Sequence, residues 1–193
     1  LVGSEMCIRD RPYILSESGH ELWIGAKGGD GWGGCTILGS DDGTNYSGVG
    51  ECVGEARFGT LSKGVSADST TLEVSINDSL ISGSALNAAN GDTLCWLDGE
   101  CLSYQGATML DNGHYQLTDC IRGQYGTKAV SHNSGSAFAR LDSAFQRITY
   151  KTSYIGQTIH LKFLSLNVFG SGEPDESKFV SYTHLRAHET GAY

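Results

Sequence analysis

Two histidines, one basic loop and a few carboxylates are the groups in this 193-residue chain whose types could do chemistry. His114 and His132, taken with Asp119 or Asp142, offer an acid–base pair, since imidazole exchanges protons near neutral pH and a carboxylate can orient it. No G-x-S-x-G or comparable nucleophile context accompanies them. Glu51, Glu55, Asp98 and Glu100 supply the paired carboxylates that glycoside hydrolysis needs, but Asp98 is accounted for by a turn and Glu100 flanks it. Arg122-Gly123-Gln124-Tyr125-Gly126-Thr127 carries the cation and glycine amides of an anion cradle. It lacks the G-x-x-x-x-G-K-[ST] spacing, because Lys128 follows Thr127 and no helix signal succeeds it. The preferred reading is a turn in which Arg122 pairs with a neighbouring acid or carbonyl. The expectation is a chain with no catalytic residue, no cofactor and no resident metal.

Ser40-Asp41-Asp42-Gly43-Thr44 partly resembles the aspartate-box hairpin of sialidase-like propellers, where Asp side chains fold back on backbone amides. Asp41, Asp42 and Asn45 could hold calcium, but the alternating oxygen ligands ending in Glu are missing. Trp23, Trp32, Tyr46, Trp96, Tyr104 and Tyr125 could stack on sugars. Aromatics in glycine-rich β domains more often fill the core. Trp32, Tyr46 and Tyr125 are kept as candidate binding aromatics, with Trp32 expected to be exposed among its glycines.

Short strands and tight turns must position these groups. The chain has 27 glycines and only two prolines, spread among Val, Ile, Thr and Tyr. That pattern predicts turns between strands rather than a disordered linker. Leu72, Val74 and Ile76 alternate on one face, which is a half-buried strand. Asp98-Gly99 joins Leu94–Leu97 to Glu100–Tyr104 as a two-residue hairpin, pairing Leu97 with Glu100 and Cys95 with Leu102. Asn112-Gly113 marks a second hairpin, and Asp42-Gly43 a third. Ser79–Ala89 is the one helix candidate, with Leu80, Ile81 and Leu86 as its apolar residues and Gly83 weakening it. Ile159–Gly170 is a strand that resembles the penultimate strand of a fibronectin type III or similar sandwich. The predicted fold is all-β, a small barrel or sandwich of antiparallel hairpins followed by a partial fibronectin-like segment.

Composition narrows the function classes. The net charge is −9 with no Lys/Arg cluster, which argues against nucleic acid or anionic membrane as partner. No apolar run reaches the length of a membrane span. Cys35, Cys52, Cys95, Cys101 and Cys120 contain no C-x-x-C and read as small buried thiols.

The two ends have a different origin. Leu1–Asp10 can be written as the codons CTC GTG GGC TCG GAG ATG TGT ATA AGA GAC. Their reverse complement encodes the sequence from Val180 to Glu189, residue for residue. Folding imposes no such relation, whereas one DNA segment joined in opposite orientations to both ends of an insert does. The string resembles a transposase-type sequencing-library adaptor, so residues 1–11 and 180–193 are set aside, with Cys7, His184 and His188. The remaining sequence is expected to be a fragment: a β-rich domain over 12–147, divisible at 12–65 and 66–147, then a strand-rich junction over 148–179.

Three pieces in order resemble a tail protein of tailed bacteriophages, of the baseplate-hub or tail-tip class with its gene-transfer-agent relatives. The first is Leu22-Trp23-Ile24 with Trp32-Gly33-Gly34-Cys35 and the Ser40–Gly43 hairpin. The second is Leu97-Asp98-Gly99-Glu100 leading to Tyr104, then Arg122–Thr127 with Ala129, His132 and Gly135. The third is Ile155-Gly156-Gln157-Thr158-Ile159 with Asn167 and Gly170. The resemblance implies a structural component of the virion tail, assembled in the host cytoplasm and acting in tail assembly and host attachment. It implies other tail proteins and further copies of itself as partners, and a host glycan or receptor as a further one. The rival readings are a carbohydrate-binding module on host surface glycans and a glycan-degrading enzyme.

Overall fold

The computed structural model describes residues 5–10, 20–111, 113–154 and 157–168. Their strands are β1 (Glu5–Asp10), β2 (His20–Lys27), β3 (Trp32–Ser40), β4 (Ser47–Cys52), β5 (Arg57–Leu61), β6 (Leu72–Ile76) and β7 (Leu94–Leu97). They continue as β8 (Glu100–Ser103), β9 (Gly106–Asp111), β10 (His114–Thr118), β11 (Ile121–Gln124), β12 (Ala137–Arg140), β13 (Gln146–Tyr150) and β14 (His160–Asn167). One short helix, α1 (Ala85–Asn90), accompanies them. The chain is all-β and its sheets are antiparallel; none of them closes into a barrel among the described residues, so the sandwich form of the expectation holds.

The chain divides into two compact units, one formed by 1–55 with 144–193 and the other by 56–143. The predicted segments 12–65, 66–147 and 148–179 do not coincide with them. The reason is strand pairing: β13 returns to β2 and β14 to β3, while the span between closes a core of its own.

The first unit holds two three-stranded sheets, ordered β1-β2-β13 and β14-β3-β4. Period-two alternation points Leu22, Ile24 and Ala26 of β2 into one core with Cys35 and Ile37 of β3, Cys52 of β4, and Leu161 and Phe163 of β14. The anticipated strand from Ile159 is β14, paired with β3 from His160↔Ser40 to Asn167↔Trp32. Phe169, Gly170 and the turn after them lie outside the described residues, as do Ile155 and Gly156.

The second unit is one eight-stranded sheet, ordered β11-β8-β7-β12-β5-β6-β10-β9. Its core gathers Leu61, Leu72, Val74, Ile76, Leu97, Leu102, Tyr104, Leu117 and Phe138. The β7–β8 turn takes φ of 41° at Asp98 and 98° at Gly99, and the register follows as the two-residue turn requires, with Leu97↔Glu100 and Cys95↔Leu102. In the second hairpin Gly113 has φ of 81°, while Asn112 lies outside the described residues.

The helix is shorter than predicted. Residues 79–84 instead run beside the start of β9, with Gly83 N donating to Gln105 O and Tyr104 Oη to Ile81 O. The helix starts only after the Ser84 cap, whose hydroxyl accepts from Asn87 N. Leu80 is buried, but Ile81 and Leu86 are 72% and 68% exposed, so they are not the apolar face expected of them.

Candidate functional site

Glu100 opens β8 immediately after the Asp98-Gly99 turn, in a ribbon buried on both faces. Its side chain is wholly buried, a position where a carboxylate needs compensation. Strand β11 supplies it. Ile121 pairs with Ser103 and Gln124 with Cys101, and the register shifts between them where Gly123 takes φ of 64°. That kink turns Arg122 onto Glu100.

Arg122 Nε donates to Oε1 at 2.5 Å and Nη2 to Oε2 at 2.8 Å, in the bidentate geometry that suits a guanidinium and a carboxylate. Gly123 N donates to Oε1 at 3.0 Å and Val130 N to Oε2 at 3.3 Å. His132 Nε2 lies 3.0 Å from Oε2 and donates, because a carboxylate can only accept. The backbone of His132 is fixed in turn by a two-way bridge to Val65. The rest of Arg122 is also engaged: Nη1 donates to Ser66 O and Ser69 O, and Nη2 to Val130 O. Thr127 closes the loop, accepting from Cys101 N at 2.9 Å and donating to Gln124 O at 2.8 Å.

Burial opposes the charge on Glu100, but the hydrogen bonds from Arg122, His132 and Gly123 outweigh it and hold the carboxyl below its usual range. Both oxygens are filled by donors of the chain itself. The Gly123 amide that could have met an external phosphate is spent on this carboxylate. The Arg122–Thr127 loop does cradle an anion, but the anion is Glu100.

The remaining candidates do not converge. His114 is exposed and pairs with Asp111, not with Asp119 or Asp142. Asp142 stands 3.8 Å from Arg57, and Asp119 is an exposed turn residue with φ of 51°. Asp98 accepts from Ser136 Oγ at 3.2 Å.

Asp42 is a loop organiser. Its Oδ1 accepts from Thr44 N and Asn45 N, both at 2.7 Å, and from Ser40 Oγ at 2.9 Å, while Oδ2 accepts from Asn45 Nδ2. These bonds, led by those from the Asn45 and Thr44 amides, hold its carboxyl well below the usual range. An oxygen ringed by N–H donors is poorly placed for a cation. Among the described residues no cluster of three or more His, Cys, Asp or Glu could hold a metal.

Trp32 is only half-exposed. It packs on the core of the first unit, and a Cβ on Gly28 would fall 2.0 Å from its Cγ. The expectation of an exposed Trp32 is corrected by that contact. Tyr46 lies under the Lys162 ammonium, 4.0 Å from the ring centre. Trp32 opens β3, whereas Tyr46 precedes β4 where Ser47 pairs with Gly39 near the other end of β3, so at about 3.3 Å per residue the two rings do not form one sugar platform. Tyr125, with φ of 54°, sits in the second unit with its hydroxyl against Gly91. Trp23, Trp96 and Tyr104 are core residues.

A family model described as Rcc01698-like, C-terminal, matches residues 49–139. The match takes in the whole Glu100 network. No curated protein matches the chain.

Sequence reading places Glu100 among the candidate carboxylates at the flank of a turn, but does not pair it with Arg122 and His132. Its signal was present: a lone acid in an apolar ribbon covered on both faces must have a buried partner, and Arg122 was already a residue in search of an acid.

Proposed function

We propose that the chain is a non-enzymatic structural segment of a phage tail baseplate or tail tip, working by contact with other tail proteins and copies of itself in assembly and host attachment. The carrying observation is the use made of the motif most specific to the tail-protein resemblance. Glu100, Arg122, Gly123, Thr127 and His132 all bond to one another or to the chain's own backbone. A motif spent entirely on rigidity suits a component that must keep its shape under load, and leaves no acid–base pair for hydrolysis. The family match, described as a C-terminal region, agrees with a segment late in a longer chain. Surface character supports a contact role as well. The outermost strand β9 exposes Met109 and Leu110, and Ile81 is exposed too. No helix among the described residues is long and apolar enough to cross a membrane.

The test is immunogold labelling of tailed particles from the source sample, with antibody raised against this chain. Gold at the tail end distal to the capsid is the expected result. Label confined to soluble, particle-free fractions would overturn the reading, as would release of reducing sugar from host polysaccharide by the purified chain.

A further inference from the structure

Cys35 and Cys52 face each other directly across β3 and β4, and each is 2% exposed in the core of the first unit. Directly opposite residues on antiparallel strands hold their Cα atoms about 4.5–5.5 Å apart, inside the range of roughly 4.4–6.8 Å that a disulfide spans. Their side chains necessarily leave the same face. The approach is helped next door: a Cβ on Gly34 would fall 2.6 Å from Cys52 O, so only glycine lets β4 come this close. The neighbouring Cys52 thiol and burial push the Cys35 thiol up, and Cys52 Sγ donates to Ile24 O at 3.7 Å.

We infer that Cys35 and Cys52 are a built dithiol that closes to a cross-strand disulfide when the protein meets a small-molecule disulfide oxidant. The inference is independent of the tail assignment. Cys52 is the last residue of β4, an outer strand of its sheet, so fraying of that strand end exposes its sulfur without global unfolding. The Cys52 thiolate attacks the oxidant RSSR, forming a mixed disulfide and releasing RS⁻. The Cys35 thiolate then attacks the Cys52 sulfur and expels the second RS⁻. Two protein thiols are oxidised, one RSSR is reduced to two RSH, and the two thiol protons end on the released thiolates. Cys95 and Cys101 are not a second such pair, since they face Leu102 and Trp96.

The experiment uses the full chain carrying Cys7→Ser, incubated folded with glutathione disulfide, both at room temperature and just below its unfolding midpoint. The sample is acid-quenched, unfolded, alkylated with N-ethylmaleimide and mapped by mass spectrometry. The expected products are a peptide joining Cys35 to Cys52, with maleimide on Cys95, Cys101 and Cys120. The oxidised chain should also unfold several degrees higher, a gain that dithiothreitol removes and that the added Cys52→Ala substitution abolishes. Maleimide on all five thiols under both conditions, a stable glutathione adduct on Cys52, or a link between any other pair would overturn the inference.

Discussion

Arg122 grips Glu100 with both arms of its guanidinium, and both side chains are buried, at 6% and 0% exposure. The contact spans 22 residues of sequence and joins the first residue of β8 to the strand at the edge of the sheet. Its energetic meaning is asymmetric. A buried ion pair adds modest net stability, but removing one partner strands a charge without water at a cost of about 3–5 kcal/mol. A substitution at Arg122 should therefore unsettle the whole Arg122–Thr127 loop.

Acid should loosen the second unit through this same carboxyl. Its pKa is lowered in the folded state, so the unfolded chain takes up the proton more readily. The contribution is fully present above the ordinary glutamate value of about 4.3 and is lost as pH falls through the lowered folded value. Thermal midpoints should hold from neutral pH down to that region and then fall. In Glu100→Gln the midpoint starts lower and the acid slope is shallower; an unchanged slope would contradict the assignment.

Trp32→Ala separates packing from sugar recognition. With the indole lying on Gly28 and the core beside it, the substitution should cost about 2 kcal/mol in urea unfolding, less than for a fully buried tryptophan. Glycan-array binding should be absent before and after. Glycan binding that Trp32→Ala abolishes with no loss of stability would restore the carbohydrate reading.

Two glycines should behave differently. A Cβ at Gly59 would meet Ser75 O at 1.9 Å and Ile76 Cα at 2.9 Å, both backbone atoms of the neighbouring β6. Gly59→Ala should cost about 3 kcal/mol, because the strands cannot part without losing their ladder. At Gly99 nothing lies within 4 Å, and only the φ of 98° resists a side chain. Gly99→Ala should cost about 1–2 kcal/mol. Equal losses in chemical denaturation would show that the close approach of β5 and β6 does not limit stability.

Local features were legible in the sequence and distant pairings were not. Asp98-Gly99 dictates its own turn, and with it the registers of Cys95 and Trp96. The alternation of Leu72, Val74 and Ile76 similarly announces a strand with one buried face, all three being core residues. Strands β2 and β13 meet across more than a hundred residues with no turn to announce them, as do β3 and β14. For that reason the division at 65/66 went unsupported, and 144–168 joined the first unit. Ser79–Ala89 misled because Leu80, Ile81 and Leu86 fit a helical spacing, while a backbone bond from Gly83 to Gln105 and the Tyr104 hydroxyl on Ile81 O engage the first part outside a helix. At the site, Arg122 was legible as a cation needing an acid. Glu100 was legible as an acid in a covered ribbon, but its pairing with Arg122 was not, because that contact follows only from how β11 flanks β8.

Arg122 and Glu100 act as one structural unit. A double-mutant cycle in urea, using Arg122→Met, Glu100→Gln and the pair together, measures this directly. The expected result is a large loss for each single variant, a double variant little worse than either, and a coupling of about 2–3 kcal/mol. Additive losses with coupling near zero, or single variants as stable as the parent chain, would contradict it.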